Sequence, residues 1–166
     1  MKTFKQFINE SNVIGHLKPK SDEEIKKIFL NKSTADIFRA IRKFDVPEHF
    51  LPTDEEFYNM IKEKGNLNEL FFEILHHDMK YVKMFIDIYI LPMKDEIIRQ
   101  KYLNFSLEKA IEEVNPDAFE YLLILGADIN YIKNTITNVS GPSSKKQKLK
   151  EIYLKYKNKE KSEEKG

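Results

Sequence analysis

The chain has no cysteine at all. That removes disulfides, thiolate metal sites and cysteine nucleophiles together, and it fits a reducing interior. It has only five glycines, with no Gly-x-Gly-x-x-Gly and no Walker loop, so little is left from which to build a phosphate cradle. No apolar run approaches the roughly 20 residues of a membrane span. The N-terminus carries Lys2, Lys5 and Glu10 and no apolar stretch of the secretory kind. Net charge is also missing: 28 basic against 27 acidic residues leave +1. Overall charge therefore gives no electrostatic case for nucleic acid or an anionic membrane.

What is present is helical periodicity and many aromatics. Twelve Phe and eight Tyr in 166 residues supply the core of one domain with tails. Phe105 to Asn130 is the most legible stretch. Leu107, Ala110 and Ile111 form one helical face; Phe119, Leu122 and Leu123 form a second. Pro116 cannot continue the first helix but suits the first turn of the next, with Asn115 as its N-cap and Gly126 at its C-terminal stop.

Leu67 to Tyr89 reads as an earlier pair, with Leu70, Phe71, Ile74 and Leu75 inward, then Tyr81, Val82, Phe85 and Ile86, and Asp78 as a cap between them. Ile37 lies 33 residues before Leu70, and Leu70 lies 37 before Leu107. A period near 33 residues is the repeat length of known helix-pair solenoids. The spacing predicts an all-α helical solenoid of about three degenerate pairs, with capping helices at both ends. In the extra length, Ile90-Leu91-Pro92-Met93 precedes a short helical stretch from Lys94 to Tyr102. This apolar insertion is a packed cap or an exposed contact; the packed cap is the favoured reading.

Ser21 with Glu24, and Thr53 with Glu56, match the Ser/Thr-x-x-Glu capping box, and Ser33 or Thr34 opens a helix between them. Ile25, Ile28 and Phe29 face inward, as do Ile37, Phe38, Ala40, Ile41 and Phe44, then Phe57, Met60 and Ile61, with Gly65 as a stop. Pro47 and Pro52 break the chain between helices. Residues 143 to 166 hold nine Lys against four Glu, leaving +5. Leu149, Ile152, Tyr153 and Tyr156 keep helical spacing there, so a helix to about Lys157 is expected, with a disordered end. Such a tail can hold phosphate loosely, but a solvated face is the expected state.

The residues Leu107, Ala110, Phe119-x-x-Leu122-Leu123 and Gly126-Ala127-Asp128-Ile129-Asn130 resemble an ankyrin repeat. The family's Thr-Pro-Leu-His opening is replaced by Phe105-Ser106-Leu107-Glu108, and its Gly-His between helices by Val114-Asn115. The opening Met1-Lys2-Thr3-Phe4-x-x-Phe7-Ile8-x-Glu10 resembles the capsid-targeting leaders of large tailed bacteriophages. That resemblance implies cleavage between Glu10 and Ser11. Leu17 to Ile25 is similar to a segment that joins leader and first repeat in small phage proteins with ankyrin-like repeats. The expected layout is a leader or amphipathic helix over 1–10, a linker over 11–20, a repeat domain over 21–142 and a Lys-rich helix and tail over 143–166.

The chemistry of catalysis is thin. His76 and His77 are adjacent and point about 100° apart on a helix, so they do not share a metal, and no Cys completes a zinc site. Ser140 lacks the nucleophile elbow, and Glu112 and Glu113 diverge. No catalytic residue, metal or cofactor is expected. The ankyrin resemblance instead maps Leu75 and His76, then Lys101, Tyr102, Asn104, Glu112 and Glu113, to a concave protein-binding groove. The resemblances together imply a non-enzymatic phage protein in the host cytoplasm that binds a host protein, such as a component of defence or transcription. The rival is a protein of the virion head interior that binds other phage proteins. A small nucleotide enzyme and a repeat protein with no retained partner are further alternatives; neither membrane nor nucleic acid is expected as a partner.

Overall fold

The computed structural model describes residues 21–29, 32–43, 46–63, 67–132, 136, 141–163 and 165–166. The leader, the Glu10–Ser11 bond, the linker, Phe44, Gly65 and Ser140 lie outside them. Among the described residues the structure is all-helical, with no strand, and no helix is long and apolar enough to cross a membrane. The chain divides into two compact units between His77 and Asp78.

The first unit contains α1 (Asp22–Phe29), α2 (Thr34–Lys43), a 3-10 turn (Glu48–Phe50), α3 (Asp54–Lys62) and α4 (Leu67–Ile74). Its helices start where the sequence says they should. Ser21 and Glu24 exchange capping bonds at 3.4 and 3.2 Å, and Thr53 and Glu56 do so at 3.2 and 2.7 Å. Ser33 forms the same reciprocal pair with Asp36. Each such cap satisfies amide donors that the first turn leaves open, a contribution of about 1 kcal/mol. The two prolines bracket the 3-10 turn, as their fixed φ and missing N–H require. α2 packs along α4. Phe38 and Phe57 are fully buried and meet edge to face, with ring centroids 5.7 Å apart. Ile25, Phe29, Ile37, Ala40 and Val46 form an adjoining cluster that Ile41, Phe50 and Met60 partly cover.

The second unit contains α5 (Met79–Phe85), a π-turn (Ile86–Ile90), α6 (Glu96–Glu112), α7 (Pro116–Ile124), a 3-10 turn (Ile129–Ile132) and α8 (Ser143–Glu163). α7 packs against α5, α6 and α8. Tyr81, Val82, Phe85, Ile86, Leu107, Ala110, Ile111, Phe119, Leu122 and Leu123 are all buried, as their spacing predicts. Asp78 caps α5, accepting from the Lys80 amide at 2.8 Å. Asn115 caps α7 through the Ala118 amide at 2.9 Å, with Pro116 in the first turn. α7 ends in a Schellman motif. The Ala127 and Gly126 amides donate to Leu122 and Leu123 at 3.0 and 3.1 Å, with Gly126 at φ 96°.

Two expectations are corrected. The short stretch Lys94–Tyr102 is not separate from the helix that carries Leu107; one helix of 17 residues runs through both. No Gly or Pro occurs between Pro92 and Pro116 to stop it, and Asp95 caps its start by accepting from the Ile97 and Ile98 amides at 2.9 and 3.1 Å. The C-terminal helix also runs six residues past Lys157, to Glu163. Ile90, in the apolar insertion, is fully buried, while Pro92 is exposed.

Candidate functional site

α6 carries five of the expected binding residues: Lys101, Tyr102, Asn104, Glu112 and Glu113. Residues eleven apart on a helix return to within about 20° of one azimuth. Lys101 therefore lines up with Glu112, and Tyr102 with Glu113. Lys101 and Glu112 are exposed; Tyr102 and Glu113 are half-buried. Glu113 is also the C-cap of the helix. Glu112 takes the Lys109 ammonium at 2.5 Å. Tyr102 meets Tyr89 edge to face at 5.7 Å. Burial, then the hydrogen bond and charge of Tyr102, push the Tyr89 hydroxyl above its ordinary pKa.

Asn104 does something else. Its Oδ1 accepts from the Asp128 amide at 2.8 Å and from Gln100 Nε2 at 2.9 Å, and Gln100 also donates to the Gly126 carbonyl at 2.9 Å. Asn104 and Gln100 fasten α6 to the turn after α7. An Asn in mid-helix usually competes for its own backbone; here it is occupied elsewhere. Its role in the fold is structural.

Leu75 and His76 belong to the first unit. Leu75 is only 4% exposed, a core residue with no surface to offer. His76 is exposed and sits edge-on to Phe72 at 5.9 Å. His77 turns the other way, half-buried, with Nε2 3.0 Å from the Phe38 carbonyl and its ring 5.1 Å from that of Phe38. The two histidines lie in the turn after α4 ends at Ile74, not on a helix as expected, and their rings meet different partners. Among the described residues no group of three or more His, Cys, Asp or Glu is placed to hold a metal ion.

Periodicity did not single out Glu73. It is 1% exposed on the core side of α4. Arg39 Nε donates to Oε1 at 2.9 Å; Arg42 Nε and Nη2 donate to Oε2 at 3.1 and 2.8 Å. Arg39 also pairs with Asp36 at 2.9 Å and with Glu69 at 3.5 Å. Burial pulls the Arg39 pKa down, but the hydrogen bond and charge of Glu73, with Asp36 and Glu69, outweigh it and leave it raised. Burial also lowers the His77 pKa; the Phe38 carbonyl and Glu73 oppose this, and Arg42 and His76 add to it. The two arginines compensate the charge of the carboxylate they clamp. It ties α2 to α4 and leaves no free acid or base. The legible signal was the pairing of Arg39 and Arg42 at i, i+3 with an acid inside an apolar face.

α6 also presents side chains that the sequence reading did not select. Ile97 is 83% exposed and Ile98 47%. They stand one turn before Lys101 and Tyr102, at i, i+4. Two clefts, one of about 240 Å³ lined by Thr34, Met60, Leu67 and Leu70 and one of about 180 Å³ lined by Leu123, Ile129 and Tyr156, fall below the roughly 300 Å³ at which small-molecule sites begin. The chain matches no family model, no curated protein and no solved structure.

Proposed function

We propose that this chain is a non-catalytic protein-interaction module, built as a short ankyrin-like helical solenoid, through which a phage binds and modulates a host protein. The observation that carries the reading is the patch on α6. Ile97 and Ile98 stand in solvent beside Tyr102 and Lys101. Exposed aliphatics next to a tyrosine suit the centre of an interface, and a lysine beside them suits its rim. The ankyrin-like residues from Phe119 to Asn130 support a repeat architecture, and the leader-like start supports the phage assignment. Affinity capture from infected cells with the full chain tests it. One host protein should be recovered with the wild type and lost with Ile97→Asp combined with Tyr102→Ala. Recovery undiminished by that pair of changes would overturn the α6 assignment.

A second reading follows from the leader: a protein of the virion head interior that binds other phage proteins. Mass spectrometry of purified particles decides between the two. A peptide beginning at Ser11 supports packaging, and absence of the protein from particles excludes it.

A further inference from the structure

The near-zero net charge of the chain conceals a separation. Residues 143–166 carry +5, so residues 1–142 carry −4. Within α8 alone there are eight Lys and three Glu. At 100° per residue seven of the lysines fall on two flanks, one on each side of the buried Leu149 and Ile152, and Lys145 falls between those two azimuths in the first turn.

The first flank holds Lys148, Lys155 and Lys159. It is used internally: Lys148 takes Asp117 at 2.6 Å and Lys155 takes Glu120 at 2.8 Å, both from α7. The second flank holds Lys146, Lys150, Lys157 and Lys161 within about 60° of arc, over about 22 Å of helix. Neither Glu151, Glu160 nor Glu163 falls in that arc. Lys157 is partly engaged, reaching Glu160 at 3.7 Å and the side-chain carbonyl of Asn130. Lys146, Lys150 and Lys161 have no ion pair among the described residues.

From this geometry we infer that the Lys146–Lys150–Lys157–Lys161 flank of α8 docks an acidic helix of a partner protein. The first flank is the precedent. It shows lysines two turns apart on this same helix engaged by carboxylates one turn apart on a helix packed alongside. The second flank repeats the spacing with no acidic helix in place. The precedent on the first flank is a pair of carboxylates, and that favours an acidic helix over nucleic acid. The −4 on the rest of the chain also opposes a long polyanion. This surface is on a different helix from Ile97 and Tyr102, so it goes beyond the α6 reading and either can fail alone.

Fluorescence anisotropy with the full chain tests it. The probe is a labelled helical peptide of about 20 residues with Glu at every third or fourth position, in about 50 mM salt. The wild type should bind it. Lys146→Glu, Lys150→Glu and Lys161→Glu together should weaken binding by about tenfold or more. A control with Lys26→Glu, Lys27→Glu and Lys43→Glu makes the same change in net charge and should bind as the wild type does. No binding by the wild type, equal loss in the control, or a DNA duplex of similar length bound more tightly than the peptide would each overturn the inference. Sedimentation showing a dimer that only the α8 variant abolishes would overturn it too, by assigning the flank to a second copy of this chain.

Discussion

At the scale of single residues, a charge that is buried in this chain is buried with its partners. Glu73 is the clearest case: a carboxylate 1% exposed, held by Arg39 and Arg42. His77, three residues on from Ile74 in the same core, is held neutral, with burial lowering its pKa below the ordinary 6.5. A histidine held low in the folded state gains its proton first in the unfolded chain. The stability of the first unit should therefore be complete above about pH 6.5 and fall as pH drops from there toward the lower folded pKa. Urea unfolding at stepped pH values should show that slope in the wild type and a flatter profile in His77→Gln over the same window. Identical profiles would remove His77 as the cause. The chain announces such residues poorly: a buried Glu and an exposed Glu are the same letter, and only the facing arginines distinguish them.

At the scale of elements, helix starts were readable and helix lengths were not. Ser21, Ser33, Thr53, Asp78 and Asn115 each cap the helix that their position suggests, because capping is a local matter of one side chain and the next amides. The α6–α7 junction shows the limit. α6 ends in a Schellman motif, with Val114 and Asn115 amides donating to Ile111 and Ala110 at 2.9 and 2.8 Å. The left-handed position is Val114, at φ 53°, where the ankyrin-like pattern has glycine. A β-branched residue there is strained, at a cost of at least about 1 to 2 kcal/mol, and its burial at 6% exposure offsets this. A Cβ added at Gly141 would meet Val114 Cγ2 at 2.7 Å. Gly141→Ala should therefore destabilise the wild type by about 1 to 3 kcal/mol and cost far less in a Val114→Gly background. Thermal melts of the four proteins of that cycle give the coupling; simple additivity would show that the two side chains do not compete.

At the scale of the whole molecule, the described chain is two compact helical units, each with its own core. The partners of Glu73 all lie in the first unit. Glu73→Gln removes the acid that Arg39 and Arg42 share, with Arg39 keeping Asp36 and Glu69, and should destabilise that unit by about 2 kcal/mol, discounted because the arginines are about a quarter exposed, or roughly thirtyfold in its opening equilibrium. Hydrogen exchange should therefore speed up in α2 and α4 while amides of α6 and α7 keep their protection. A uniform loss across both units would mean that they unfold as one. The charge separation between the first 142 residues and α8 belongs to this scale as well, since no window of the chain shows both halves at once.

The sequence by itself determined the all-helical class, the caps and the inward faces. Each depends on residues within about four positions of one another, which is the range over which a helix repeats and a cap bonds. It also selected Lys101, Tyr102, Glu112 and Glu113, though as residues of two separate stretches. The tertiary structure decided the rest. It turned Asn104 into a fastening between α6 and the Asp128 turn, joined 96–112 into one helix, and clamped Glu73 between two arginines more than 30 positions away. Those outcomes depend on which faces meet across the fold, and burial and pairing at a distance are written in no single stretch of the chain.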